Sequence, residues 1–219
     1  MHSGSHRLAS KHRAKSPRAQ ASRPPRAGHD LRPVAAFRER GLRTGSKLED
    51  FSAPERWHDA RDQGKVRYVI EPPGPGFVHA VTRAEVAERI SLLPPELTVR
   101  LAVVQWSGMT RKRQLFPCYG MQWGAAVYLY PIEESLVETY HRPPTPQQQI
   151  EARMYGGRWF QEGRVWRLAW TAESIRDFYL NNVLIHEIGH VHDTRNTNSR
   201  DRERFANWFA IEYGYRPTR

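Results

Sequence analysis

The chain has 219 residues, 39% hydrophobic and 11% aromatic, which is enough for one globular core and too polar for a membrane bundle. Its formal charge of +11 is uneven, since residues 1 to 50 carry 12 Lys or Arg against 4 acids. With no run of 18 apolar residues, no signal-peptide pattern and a single cysteine, Cys118, the chain is expected to have no membrane span, no export signal and no internal disulfide. A reducing, cytoplasmic setting fits that usage.

Residues 1 to 46 read as a disordered basic tail. The first 29 contain seven basic side chains, no acid, and Leu8 as the only large aliphatic residue. Such a tail can make weak, non-specific contact with nucleic acid by neutralising phosphates, although a solvated extension is the simpler reading. A targeting peptide would need an apolar face that this segment lacks. Its histidines, His2, His6, His12 and His29, can chelate stray metal.

Residues 47 to 219 read as the folded domain. Three capping boxes, in which a hydroxyl is answered three residues later by Glu or Gln, place helix starts at Ser52 with Glu55, Thr82 with Glu85 and Thr145 with Gln148. Between them Val66 to Ile70, Phe77 to Val81, Leu97 to Gln105 and Ala125 to Tyr130 are β-prone runs bounded by Pro, Gly or basic residues. The run Arg111 to Arg113 reads as a solvated turn, and Cys118 as a buried or half-buried thiol. Arg158 to Trp170 reads as a hairpin turning at Glu162-Gly163. The tryptophans from Trp106 to Trp208 are assigned mostly to packing. This mixed order predicts an α+β fold, a small mixed sheet packed against a helix that carries the chemistry.

That helix contains His186, Glu187 and His190, a His-Glu-x-x-His motif. Two imidazoles four residues apart project from one helix face and can hold one metal ion, leaving Glu187 to act as a general base on water. No residue from Phe178 to His186 carries a formal charge at pH 7, so the segment reads as buried. A carboxylate in such company needs a cation or hydrogen-bond partners.

A catalytic zinc takes three protein ligands, so a third donor is required. A polar turn over Thr194 to Asn198 and a second helix, capped by Asn198 or Ser199 and ending before Gly214, predict an antiparallel helix pair. His190 and Glu203 then come level across the turn, and Glu203 borders the apolar stripe that contains Phe205 and Phe209. Glu203 is therefore the expected third ligand, with Asp193 next; His192 and Asp201 point elsewhere. Asn182 and Asp193, one turn to either side of the histidine pair, are placed to orient the imidazoles. Tyr179, Tyr213 and Tyr215 are possible oxyanion donors among which the sequence does not choose.

The combination of His186-Glu187-x-x-His190 with Glu203, Ala206, Asn207, Phe209 and Ala210 resembles the gluzincin metallopeptidases, in particular the ImmA/IrrE-like family. The resemblance covers about Asn181 to Tyr213 and implies a zincin-like fold, one Zn2+ per chain and a protein or peptide substrate. It also implies His186, His190 and Glu203 as ligands, Glu187 as catalytic base and Asn207 as a support beside them. In zincins an edge strand beside the cleft pairs with extended substrate. Ala125 to Tyr130 is the expected strand, with Tyr128 and Tyr130 either lining the cleft or covering a sheet face. Two other readings remain open: a non-catalytic or regulatory metal-binding protein, and a nucleic-acid-associated protein driven by the tail.

Overall fold

The computed structural model describes residues 53 to 59, 65 to 115 and 118 to 219; the tail assigned to residues 1 to 46 and the Ser52 half of the first capping box lie outside them. The described chain is a mixed α+β structure built on a four-stranded sheet. Strands β1 (Arg67–Ile70), β3 (Val103–Trp106) and β5 (Ala126–Leu129) are parallel neighbours, and β4 (Gly120–Trp123) closes the sheet antiparallel to β5. Short β2 (Phe77–Val78) pairs with β6 (Ile132–Glu133), and β7 (Val137–Tyr140), β9 (Val165–Ala169) and β8 (Arg158–Glu162) form a separate antiparallel sheet. The hairpin between β8 and β9 turns through Gly163, whose φ of 59° suits a residue without a Cβ.

The sheet's period of two sorts its side chains onto two faces. Val104, Trp106, Val127 and Leu129 join the main core with Val183, Leu184, Ile185, Ile188 and Phe209. Val103, Ala126, Tyr128 and Tyr130 form a second apolar cluster on the opposite face. Residues 53 to 59 lie over that second face: Tyr130 donates to Glu55 Oε2 at 2.8 Å and Tyr128 to the Arg56 carbonyl at 2.9 Å. Both tyrosines thus cover a sheet face and do not line a cleft.

Helices α1 (Arg83–Ser91) and α4 (Pro146–Met154) begin at the expected Thr82 and Thr145 boxes, with both reciprocal bonds formed. No helix follows the third box within the described residues: residues 53 to 59 are not helical, and Glu55 is taken by Arg113 at 2.7 Å. Arg113 lies in the short helix α3 (Arg111–Leu115), its side chain only 3% exposed and stacked 4.4 Å from the Tyr130 ring centroid. The basic run is therefore not a solvated turn, since a carboxylate 58 residues upstream makes burial of its third member tolerable. Leu97 to Gln105, expected as one strand, splits into a helical turn α2 (Pro95–Thr98), started by Pro95, and β3. Trp123 and Trp208 are substantially exposed rather than packed inside.

The helix that carries the motif begins earlier than the apolar run suggests. Thr171 caps α5 (Ala172–Phe178), and the rod continues through a π-helical segment, Tyr179–Val183, into α6 (Leu184–His192). The π-turn holds the Asn181 carbonyl where it accepts from the Tyr155 hydroxyl at 3.2 Å, and the Asn181 side chain accepts from Arg89 at 2.6 Å. Helix α7 (Ser199–Ala210), capped by Asn198, also runs into a π-segment, Ile211–Tyr215, so helical structure passes through Gly214 rather than stopping before it. The reason is tertiary: a Cβ on Gly214 would sit 1.9 Å from the Asn181 carbonyl oxygen, so glycine serves here as a contact surface between the two π-segments. Among the described residues no helix is long and apolar enough to cross a membrane.

Candidate metal centre

Helices α6 and α7 pack antiparallel, with Gly189 at a tight contact between them. A Cβ there would lie 3.0 Å from Phe209 Cβ and 3.2 Å from Ala206 Cα. This close approach brings the first turns of α7 level with the end of α6. His192 leaves the site on the other side and stacks on Phe205 with centroids 6.4 Å apart.

Inside the pair, His186 Nε2 and His190 Nε2 face each other at 3.0 Å. The Glu203 carboxylate closes a triangle, with Oε1 3.3 Å from His190 Nε2 and Oε2 3.7 Å from His186 Nε2. Ligands held about 2.0–2.1 Å from a tetrahedral metal stand about 3.3 Å apart, and the imidazole pair, together with the approach of one Glu203 oxygen to each imidazole, lies near that spacing. A proton between the imidazoles satisfies one edge of the triangle, whereas a cation satisfies all three. The buried Glu203 Oε2 has no hydrogen-bond partner, as expected where a cation belongs. The donor set thus fits a metal ion.

Glu187 approaches from a different direction. With His186 and His190 it forms a group whose ligand atoms lie within 4.8 Å of one another. Its carboxylate, however, faces β4: a Cβ built on Gly120 would lie 3.0 Å from both Glu187 Cγ and Oε1. Glu203 reaches the histidines from α7, while Glu187 stands between them and the sheet edge. That division suits a ligand on one side and a proton-handling group on the other.

Burial dominates the electrostatics. It lowers the His186 pKa to about 3, with His190 as the second cause, so this imidazole is neutral and available as a ligand. Burial likewise pushes the Glu187 carboxyl up to about 8. At His190 burial is opposed and outweighed by the Glu203 hydrogen bond and the Glu187 charge, leaving the pKa raised. At Glu203 burial is outweighed by the His190 bond and the charges of both imidazoles, leaving the pKa lowered. The four groups share few charges in a dry setting, an arrangement that could accept a cation.

The remaining expected residues fall in several places. Asn207 lies one turn beyond Glu203, and its side chain is close enough to His186 to favour the protonated imidazole. Asn182 turns away from His186 and donates to Glu151 Oε1 on α4 at 2.6 Å. Asp193 ends α6, and its two oxygens accept from Arg195 N, Asn196 N and the Asn196 side chain, so it shapes the turn. Asp201 binds the Asn198 side chain at 2.6 Å. None of the three proposed tyrosines contacts the centre: Tyr179 donates to the Tyr130 carbonyl at 2.7 Å, Tyr213 packs on Phe209, and Tyr215 packs on Tyr155.

The strand beside the centre is also different from the one expected. Ala125 to Tyr130 contributes β5, which is internal, paired to β3 and β4. The edge is β4, whose Gly120 abuts Val183 and Glu187 and whose Gln122 accepts from Arg202 of α7 at 3.1 Å. Gly120, Gln122 and Arg202 were not legible as site residues from the sequence. One signal was available, because a glycine inside an apolar stretch without turn partners marks a close backbone approach. In comparisons with protein-family models, curated proteins and solved structures, nothing matches this chain.

Proposed function

We propose that this chain is a zinc-dependent peptidase of the gluzincin kind, hydrolysing peptide bonds in a protein or peptide substrate. The observation that carries the reading is the convergence of His186, His190 and Glu203, with contacts of 3.0, 3.3 and 3.7 Å, the last two made by different Glu203 oxygens, beside a separate carboxylate turned toward a sheet edge. Two imidazole nitrogens and one carboxylate make a donor set that zinc accepts in catalytic sites with an open fourth position. When bound, zinc supplies Lewis acidity to the scissile carbonyl and to water.

The chain's own residues account for the rest of the chemistry. Glu187 takes a proton from the attacking water and passes it to the departing amine nitrogen, a role that needs the carboxyl ionised, which a cation held by His186 and His190 would favour against the burial that by itself raises its pKa to about 8. Asn207 steadies the His186 ring from the α7 side. Strand β4 offers its outer edge to an extended substrate backbone, and Gly120 keeps side-chain bulk out of the space before Glu187. On this reading the α+β arrangement is zincin-like, with the metal helix under a sheet that ends in an antiparallel strand.

The test uses the full chain. Zinc content by mass spectrometry is expected to fall by one equivalent when His186 and His190 are both replaced by Ala, a difference to which the tail histidines contribute equally in both proteins. Digestion of a broad peptide library is expected to require zinc and to vanish in Glu187→Gln. Zinc bound at this site with no peptide cut would leave a metal-binding protein and refute the peptidase.

A further inference from the structure

We propose that Arg202 selects substrates by binding a carboxylate carried within about two residues of the bond to be cut; this rests on the peptidase reading above. Arg202 sits in the first turn of α7, immediately before Glu203, and is half-buried. One of its nitrogens, NH2, donates to Gln122 Oε1 at 3.1 Å and to the His190 carbonyl at 3.4 Å. The guanidinium is therefore pinned where α6, α7 and the edge strand meet. Among the described residues no carboxylate pairs with it, and Nε and NH1 keep their donors unclaimed. Its charge is nevertheless close enough to weigh on Glu203, His190 and Asp193.

A fixed, half-desolvated guanidinium with an unused fork is suited to a planar anion, and carboxylate matches it with two parallel hydrogen bonds. Register decides where that carboxylate lies. Gly120 and Gln122 point to the same side of β4, the first at Glu187 and the second at Arg202. Two residues of strand span about 6.6 Å, so a backbone laid along this edge with its reacting peptide at Glu187 has a residue level with Arg202 two positions away. An acidic side chain there, or a chain terminus, meets the cation. Arg195 in the α6–α7 connection and Arg200 and Arg204 in α7 lie nearby in sequence, and residues 193 to 204 carry four Arg against the three acids Asp193, Asp201 and Glu203, a slight basic excess beside the edge.

The experiment takes one neutral peptide cleaved by the zinc-loaded full chain and places Glu or Gln at each of three positions on either side of the bond, with the C-terminus as acid or amide. One position is expected to favour Glu about 10- to 100-fold in kcat/KM, through KM more than kcat. In Arg202→Gln that ratio is expected to collapse toward one at unchanged zinc content. Arg202→Lys, which keeps the charge without the fork, is expected to retain part of it and serves if the Gln variant folds poorly. Cleavage without acid preference at any position overturns this proposal and leaves the peptidase standing. Acid preference that persists in both variants also overturns it, as does competition by short single-stranded DNA that Arg202→Gln relieves, which would assign the cation to phosphate. If no peptide is cut by the wild type, the peptidase reading fails and this proposal falls with it.

Discussion

Replacing Gly120 by Ala tests whether β4 is built to approach the helix that carries His186, Glu187 and His190. The added methyl would lie 2.6 Å from Val183 Cγ1 and 3.0 Å from Glu187 Cγ and Oε1, and Val183 and Glu187 are only 4% and 2% exposed. Removing a strand glycine alone would stabilise by roughly 0.5–1 kcal/mol through chain entropy. Overpacking a closed core costs about 1–3 kcal/mol, and at 2.6 Å the upper half of that range applies, so a net loss of about 1–2 kcal/mol is expected. Urea unfolding of the zinc-free protein measures it. Val183→Ala in the same background removes the closest clash, so the two substitutions should couple by at least about 1 kcal/mol. Peptide turnover should fall more than stability, because a carboxylate displaced by about 1 Å costs on the order of 100-fold in rate. Additive stabilities with undiminished turnover would mean that β4 does not press on Glu187, and the geometry argued for the base would be wrong.

Three further outcomes follow from the same structure. In zinc-free protein Glu187 has its pKa raised from 4.5 to about 8, so its contribution to stability is intact below pH 4.5 and is lost as pH rises through 8, a loss of up to roughly 5 kcal/mol. His186, depressed from 6.5 to about 3, works in the opposite sense: its contribution holds above pH 6.5 and is lost as pH falls toward 3. Unfolding in chelator across pH 4 to 9 should therefore show Glu187→Gln gaining on wild type as pH rises from about 4.5 to about 8, and parallel curves would contradict the assigned burial. Glu203→Ala should weaken zinc binding by at least about 100-fold in competition with a chromophoric chelator; undiminished affinity would remove Glu203 from the centre. Glu55→Ala should destabilise by about 3–5 kcal/mol by leaving Arg113 buried without its carboxylate, whereas Glu55→Leu with Arg113→Met should be nearly neutral, and equal losses in denaturant would show that pairing is not what holds residues 53 to 59.

Much of the site was legible because it is local. Four-residue spacing places His186 and His190 on one face whatever surrounds them, and the Thr82, Thr145 and Asn198 caps need only the next three residues to act. Glu203 could be anticipated because a short turn forces two helices into one antiparallel register. Other features depended on partners far away in the chain. The order β1-β3-β5-β4, which makes Gly120 rather than Ala125 to Tyr130 the edge beside Glu187, depends on which strands meet and on nothing within each strand. The two π-segments meet where Gly214 lets one rod reach the other, and Asn182 serves Glu151 because α4 lies there. Helical periodicity and capping are properties of neighbouring residues, so the sequence alone could determine the motif. Edge, partner and orientation arise only when distant segments compete for the same contacts, so they were decided by the tertiary structure.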